Sequence, residues 1–318
     1  GGDKMSLAYL ENGILMSSAA GAHYYSFSGR QYAEEVLSMD NPVLSASAKA
    51  GVVYDAGGQS LFLFRGTEEV FDLSLEGDGD LLSARANDSG WLAVTAQRSG
   101  YKGAVTVDAS GSEVIQISLS STFVVDAALS PDCKTVAVIT MDQEGGTFLS
   151  QVLFFPVDQK EPKAQVSLGS VTVLDLDYED GLLWVLGEDR VMTLSDDGKS
   201  ANSYPFGRSY LKGCDFGGEG FALLLLGRYR AGSANQVMTI DPEGEVRSSM
   251  ELRSQVLDFD SAGGYCSLLT GSRLTIYTPE LVEYARLGDT QGARYTALSS
   301  NGSALLADDQ QAWLYIPS

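Results

Sequence analysis

Short apolar segments, each directly after a turn of Gly, Asn, Asp or Ser, recur along the whole chain. ILMSS from Ile14, WLAVTA from Trp91 and FALLLLG from Phe221 are examples. The turns are Glu11-Asn12-Gly13, Lys49-Ala50-Gly51, Asn87-Asp88-Ser89-Gly90, Ser130-Pro131-Asp132-Cys133, Glu179-Asp180-Gly181, Gly218-Glu219-Gly220, Ala262-Gly263-Gly264 and Asn301-Gly302. Such residues suit tight hairpins, and the apolar segments have the length of strands. The pattern predicts eight copies of one unit with a period of about 40 residues.

Each unit has the pattern of four strands, the last being the most polar, as in EVIQISL from Glu113. Four short strands with a polar outer edge are typical of a β-propeller blade. We therefore predict an all-β fold, a single eight-bladed β-propeller over residues 1–318, with seven blades as the alternative. The blades are predicted to begin near Lys4, Pro42, Asp80, Thr122, Val171, Tyr210, Gln255 and Ala293. The last blade has three strands, and either a closing strand lies upstream or that blade has only three.

Net charge and apolar content limit the function classes. The 318 residues include 21 Lys+Arg and 42 Asp+Glu, which gives a formal net charge of −21. Phosphate backbones and anionic membrane surfaces would repel such a chain, so we expect no nucleic acid partner. The apolar runs are far shorter than the roughly 20 residues of a membrane span. The three cysteines are widely spaced and His23 is the only histidine, so the sequence predicts no catalytic residues.

Several sequence segments resemble those of an uncharacterised bacterial domain-of-unknown-function family from Gram-positive gut anaerobes. They are NPVL from Asn41, GVVYDAGG from Gly51, AVTVDASG from Ala104 and VVDAALSPD from Val124. The resemblance implies a propeller outside the cytoplasm, anchored to the cell membrane by an N-terminal helix that this sequence does not include. It implies a location and a fold, and no activity.

Aspartates recur at one predicted position of the first strands. Counted back from each turn, Asp126, Asp175, Asp215 and Asp258 occupy it in four successive blades, and first strands line the channel of a propeller. These four carboxylates could hold a metal ion, with Ca²⁺ as the possible cofactor. The alternative is structural: each aspartate accepts hydrogen bonds from backbone amides of its own or the next blade.

One loop face of the predicted ring combines arginine with tyrosine. The candidate ligand-binding residues are Arg98, Tyr101, Lys102, Arg190, Arg208, Tyr210, Arg228, Tyr229 and Arg230. Guanidinium groups and aromatic rings suit carboxylate-bearing or stacked ligands. Acidic residues share the face, so a solvated rim of mixed charge is the alternative.

Three functions fit these observations. The first is a non-catalytic extracytoplasmic binding or scaffold propeller, a monomer that recognises a protein, peptide or glycan. The second is a cation-dependent hydrolase or lactonase-like enzyme with a carboxylate-lined channel. The third is the sensor domain of a membrane protein. Fold alone does not choose among them.

Overall fold

A computed structural model describes residues 5–67, 69–75 and 79–318. Within these residues the regular elements are strands, β1 to β31, which form antiparallel sheets of consecutive strands. No helix in this part of the chain has the length and apolar character that a bilayer span requires. The predicted start of the first blade at Lys4 lies outside the described residues.

The first four sheets each contain four strands. Sheet 1 contains β1 (Ser6–Tyr9), β2 (Ile14–Ser18), β3 (Gly21–Tyr25) and β4 (Gln31–Val36). Sheet 2 contains β5 (Pro42–Ala46), β6 (Ala50–Asp55), β7 (Leu61–Arg65) and β8 (Glu69–Asp72). Sheet 3 contains β9 (Leu81–Ala86), β10 (Trp91–Ala96), β11 (Gly103–Ala109) and β12 (Ser112–Leu119). Sheet 4 contains β13 (Phe123–Leu129), β14 (Thr135–Glu144), β15 (Thr147–Pro156) and β16 (Ala164–Gly169).

The pattern continues to the end of the chain. Sheet 5 contains β17 (Val173–Glu179), β18 (Leu182–Gly187), β19 (Arg190–Ser195) and β20 (Ala201–Pro205). Sheet 6 contains β21 (Tyr210–Asp215), β22 (Ala222–Gly227), β23 (Gln236–Ile240) and β24 (Val246–Glu251). Sheet 7 contains β25 (Val256–Ala262), β26 (Tyr265–Thr270), β27 (Leu274–Tyr277) and β28 (Glu283–Leu287). Sheet 8 contains β29 (Tyr295–Leu298), β30 (Ala304–Ala307) and β31 (Ala312–Tyr315).

Burial along each sheet follows the apolar pattern of the sequence. All six residues of β22 are buried, whereas β24 in the same sheet alternates between exposed and half-buried positions. A strand that is apolar on both faces must be covered on both faces, so the second and third strands lie inside and the fourth strand faces solvent.

Apolar side chains of consecutive sheets pack against each other and form the core. Representative members are Leu15, Tyr24 and Phe64 between sheets 1 and 2, Val52, Leu63 and Leu92 between sheets 2 and 3, and Val105, Val124 and Val138 between sheets 3 and 4. Phe221, Val237 and Leu268 pack between sheets 6 and 7, and Leu269, Ile276 and Leu306 between sheets 7 and 8. Each such side chain contributes about 1.5–3 kcal/mol when fully buried.

These sheets are the blades of an eight-bladed all-β propeller whose last blade has three strands. The predicted fold class is confirmed, and the alternative of seven blades is wrong because β29–β31 form an eighth sheet. The chain divides into two compact units, residues 1–183 with 194–200 and residues 184–193 with 201–318. The prediction of one domain over residues 1–318 stays a prediction.

The first unit contains a close approach between two sheets and a long hairpin. Gly103 has a φ of 145°, and a Cβ on this residue would lie 2.9 Å from the Cβ of Val124 in the next sheet. The β14–β15 hairpin extends beyond its neighbours: β13 begins at Phe123 opposite Met141, whereas the hairpin pairing continues to Glu144 opposite Thr147.

Candidate functional site

β-Bulges set the direction of the side chains in several first strands. The register of β13 shifts between Val124 and Asp126, so that Asp126 lies opposite Ile139. The register of β25 shifts in the same way before Asp258, which lies opposite Leu269. A bulge adds one residue and re-aims those that follow, so an alternating pattern alone does not fix the direction of these carboxylates.

Asp215 does not occupy the position that the sequence predicted. In β21 the register shifts between Leu211 and Gly213, so Gly213 directly follows the bulge and Asp215 lies two residues further along. The ring of Phe259 packs where a Cβ on Gly213 would lie. The assignment of Asp215 to the same strand position as Asp126 and Asp258 is therefore wrong.

In the first unit, Arg85 connects Asp126 and Asp175. Its Nε and Nη2 donate to the two carboxylate oxygens of Asp126 at 3.1 and 2.8 Å, and its Nη1 lies 2.8 Å from Oδ1 of Asp175. The Ser83 hydroxyl donates to Oδ1 of Asp126 at 2.6 Å, and the Ala127 amide donates to the same oxygen at 2.8 Å. Both carboxylate oxygens of Asp126 therefore accept hydrogen bonds from protein groups.

Burial and charge act in opposite directions on Arg85. Burial alone would lower the pKa of its guanidinium, but the charge and hydrogen bonds of Asp126, followed by the charge of Asp175, raise that pKa well above its ordinary value. Arg85 stays a cation at every accessible pH. Arg85 was not predicted from the sequence as a site residue, although it lies two positions after Ser83 and therefore on the same face of β9.

In the second unit, the aspartates accept backbone amides from the next sheet. The Thr296 amide donates to Oδ2 of Asp258 at 2.8 Å, and the Leu298 amide donates to Oδ2 of Asp260 at 2.7 Å. The Ser261 amide donates to Oδ2 of Asp215 at 2.9 Å, and the Ser261 hydroxyl donates to the same oxygen. In these contacts the aspartates accept hydrogen bonds from backbone amides of the next blade, which is the structural alternative to a cation site.

Asp258 and Asp260 both have raised pKa values, because they are buried and lie near the charge of Asp215. Burial raises the pKa of Asp258 to about 6; hydrogen bonds from the Thr296 and Phe259 amides oppose the increase, and the charge of Asp215 adds to it. Burial, followed by the charge of Asp215, raises the pKa of Asp260 well above its ordinary value. Asp258 and Asp260 therefore hold a proton more readily than exposed carboxylates do.

The predicted metal ligands have other roles in the structure. Among residues 5–67, 69–75 and 79–318, no group of three or more His, Cys, Asp or Glu is arranged to hold a metal ion. Asp126 and Asp175 contact Arg85. The cation site of Asp126, Asp175, Asp215 and Asp258, together with the hydrolase based on it, stays a prediction.

In the first unit, the loop between β10 and β11 forms a groove with two cation–aromatic pairs. The guanidinium of Arg98 lies 5.1 Å from the centre of the Tyr101 ring, and Nζ of Lys102 lies 4.8 Å from the centre of the Phe123 ring. The space beside them is about 530 Å³, and Leu82 also lines it. Tyr101 and Phe123 are 46% and 49% exposed. We call this space the loop groove.

In the second unit, two of the predicted arginines pair with nearby acids. Nε of Arg190 donates to Asp189 at 3.0 Å, and this bond lowers the pKa of the Asp189 carboxyl. Nη2 of Arg228 lies 3.9 Å from Glu251, and both side chains are more than two-thirds exposed. These pairs fit the alternative of a solvated rim, because exposed ion pairs bind weakly and are screened by salt.

The other predicted residues of the second unit lie at the surface. The Arg230 guanidinium lies 6.0 Å from the centre of the Tyr210 ring, and its backbone carbonyl accepts a hydrogen bond from Lys212 at 2.7 Å. Tyr229 is 75% exposed, and Arg208 is exposed as well. The predicted ligand-binding residues therefore fall into one set in each unit, and the set in the first unit has a groove beside it.

Solved structures share the fold at low sequence identity. The C-terminal WD40 domain of Sif2 is similar with a TM-score of 0.65 and 11% identity, covering 99% of this chain and 95% of that chain. The computationally designed Ika8 protein is similar with a TM-score of 0.66 and 12% identity, covering 97% and 94%. BamB from Moraxella catarrhalis is similar with a TM-score of 0.54 and 13% identity, covering 97% and 92%. At these identities the likeness shows the fold alone.

Sequence comparisons give a family but no activity. No curated protein matches the chain. The model of a family of unknown function (DUF5711) matches residues 2–283.

Proposed function

The chain belongs to the DUF5711 family, and we propose that it is a binding propeller that captures a carboxylate-bearing segment of a protein partner in the loop groove. The partner segment is acidic and also carries apolar side chains. The observation that supports this proposal is the pairing of each groove cation, Arg98 and Lys102, with an exposed aromatic ring.

The chemistry of the groove suits this ligand. Arg98 donates through Nη1 to Gln116 and to Ser118, and the second of these bonds is 2.6 Å long. The guanidinium is therefore fixed on one side, and a carboxylate can reach its other side in a bidentate way. Tyr101 and Phe123 offer amphipathic or apolar area at a low cost in side-chain entropy.

The surrounding charge makes the groove selective. The chain has a net charge of −21, whereas the described lining of the groove has two cations, Arg98 and Lys102, and one acid, Asp80. An acidic ligand is therefore attracted to the groove more than to the rest of the surface. Added salt screens this attraction within a Debye length of about 10 Å at 0.1 M. Binding should therefore be local, of modest affinity and dependent on ionic strength.

A labelled peptide tests the groove directly. We expect a fluorescein-labelled peptide of alternating Glu and Leu to bind, measured by fluorescence anisotropy, and the matching Lys–Leu peptide not to bind. Lys102→Gln should weaken binding about tenfold, the cost of one hydrogen bond to a charged group. Lys160→Gln is the matched control, because Lys160 is an exposed lysine of the same unit away from the groove. Equal binding by all three proteins would refute the proposal.

The location outside the cytoplasm is also part of the proposal, and the family resemblance of the sequence supports it. A protease added to intact cells that express the full-length protein should digest the propeller, whereas a cytoplasmic marker stays intact. Protection of the propeller until the cells are lysed would contradict this location.

A further inference from the structure

A second cavity lies between sheets 2 and 3, beside the loop groove. Its volume is about 410 Å³, within the range of about 300–1,000 Å³ for small-ligand sites. Leu61, Leu73 and Leu75 line it from sheet 2 and the segment after it, and Val94 and Ala104 line it from sheet 3. We call this cavity the inter-sheet cleft.

The cleft has charges of opposite sign near its two ends. Arg98 lines it together with Gln116, and Asp108 and Glu113 line it further along β11 and β12. Arg98 uses Nη1 for Gln116 and Ser118, and among the described residues no group accepts a hydrogen bond from its Nε or Nη2. Glu113 is exposed, and Asp108 uses one oxygen for the Gly111 amide at 2.6 Å.

The distance between the charged ends limits the ligand. Gln116, which holds Arg98, lies opposite Thr106, and Glu113 lies opposite Asp108, because the register shifts between Val107 and Asp108. The two positions are therefore about 7 Å apart along the strand. An extended peptide of three residues spans about 10 Å, which matches this separation once the length of the Arg98 and Glu113 side chains is added. A ligand with an anionic end, an apolar middle and a cationic end matches the cleft in length and charge.

We propose that the inter-sheet cleft binds a short apolar peptide with free ends, its terminal carboxylate at Arg98 and its terminal ammonium at Glu113 and Asp108. The apolar side chains of the peptide contact the leucines of sheet 2, which removes apolar area from water. This inference goes beyond the proposed function, because the cleft and the loop groove share only Gly79, Gln97 and Arg98.

Three forms of one peptide test the two charged contacts separately. The probes are trileucine with free ends, trileucine amide and N-acetyl-trileucine, measured by isothermal titration calorimetry. Free trileucine should bind to the wild-type protein, and either blocked form should bind about tenfold more weakly. Absence of binding by free trileucine, or equal affinity of the three forms, would overturn the inference.

Variants assign each end of the peptide to a side chain. With Arg98→Gln, the amide and the free peptide should bind equally; with Glu113→Gln, the acetylated and the free peptide should bind equally. Glu161→Gln is the matched control, because Glu161 is an exposed glutamate of the same unit outside the cleft, and it should preserve both differences. Blocking effects that persist in Arg98→Gln and Glu113→Gln would refute the assignment.

The proposals for the loop groove and for the inter-sheet cleft can be refuted separately. Lys102→Gln should weaken binding of the Glu–Leu peptide and leave trileucine binding unchanged, and Glu113→Gln should do the reverse. Binding of the Glu–Leu peptide without any binding of trileucine refutes the cleft and retains the groove. The opposite result refutes the groove and retains the cleft.

Discussion

Arg85 and Asp126 form a two-point ion pair between neighbouring sheets, with distances of 3.1 Å from Nε to Oδ1 and 2.8 Å from Nη2 to Oδ2. The side chains are 21% and 12% exposed, so water contributes little to their solvation. Removing one partner of such a pair leaves the other charge buried without compensation.

Arg85→Met should therefore lower the free energy of unfolding by about 3–5 kcal/mol, measured by urea denaturation. Arg294→Met is the control, because Arg294 pairs with Asp309 at 3.0 Å while both side chains are more than half exposed. The control should cost less than about 1 kcal/mol. Similar losses in both variants would show that burial does not determine the strength of the Arg85 pair.

The buried aspartates of the second unit predict a specific dependence of stability on pH. The pKa of Asp258 is about 6 in the folded protein, against an ordinary value of 3.8. The folded state therefore holds this proton more tightly than the unfolded chain. The contribution of Asp258 to stability is largest below pH 3.8, falls as the pH rises to about 6, and is constant above that.

Asp258→Asn removes this titration, and the asparagine carbonyl can still accept the Thr296 amide. The wild-type protein should lose up to about 3 kcal/mol relative to the variant between pH 4 and pH 6, measured by urea denaturation at a series of pH values. Subtracting the variant cancels the contribution of carboxylates that behave alike in both proteins. If the free energies of unfolding of the two proteins changed in parallel with pH, the raised pKa of Asp258 would be contradicted.

Two nearby glycines, Gly100 in a loop and Gly103 at the start of β11, distinguish backbone strain from close packing. Gly100 and Gly103 both have positive φ, 82° and 145°, but only Gly103 faces the next sheet, where an added Cβ would meet Val124. Gly100→Ala should cost about 1–2 kcal/mol from the backbone conformation alone. Gly103→Ala should cost at least about 1 kcal/mol more, because the sheets must move apart. Equal losses of thermal stability in the two variants would show that Val124 can move away from the added Cβ without an energetic cost.

Strands and turns could be predicted from the sequence because each depends on neighbouring residues. The turn at Asn87-Asp88-Ser89-Gly90 forms as expected, with Asn87 donating its backbone amide to Trp91 and accepting the Gly90 amide. The strand position of Asp215 could not be predicted, because the register shifts before Gly213, and Gly213 packs against Phe259 of another sheet, a contact that local sequence does not reveal.

The candidate site residues were only partly predictable, because some of their contacts are local in the sequence and others join different sheets. Arg98, Tyr101 and Lys102 are close in the sequence, so a local pattern revealed them. Arg85 and Asp126 are 41 residues apart, and their contact depends on the stacking of two sheets. An arginine in a first strand gives no signal of its partner, because the same side chain could equally face solvent.

The long β14–β15 hairpin exposes the backbone of its tip to other molecules. β13 begins at Phe123, and three pairs of the hairpin lie beyond that residue: Asp142 with Leu149, Gln143 with Phe148, and Glu144 with Thr147. The Phe148 side chain is 55% exposed. An open strand edge beside an apolar ring can recruit the same ribbon of another molecule and start aggregation. Asp142 and Glu144 would bring like charges together in such a pairing, and directly opposed like charges destabilise strand pairs, so these two residues oppose self-association of the hairpin.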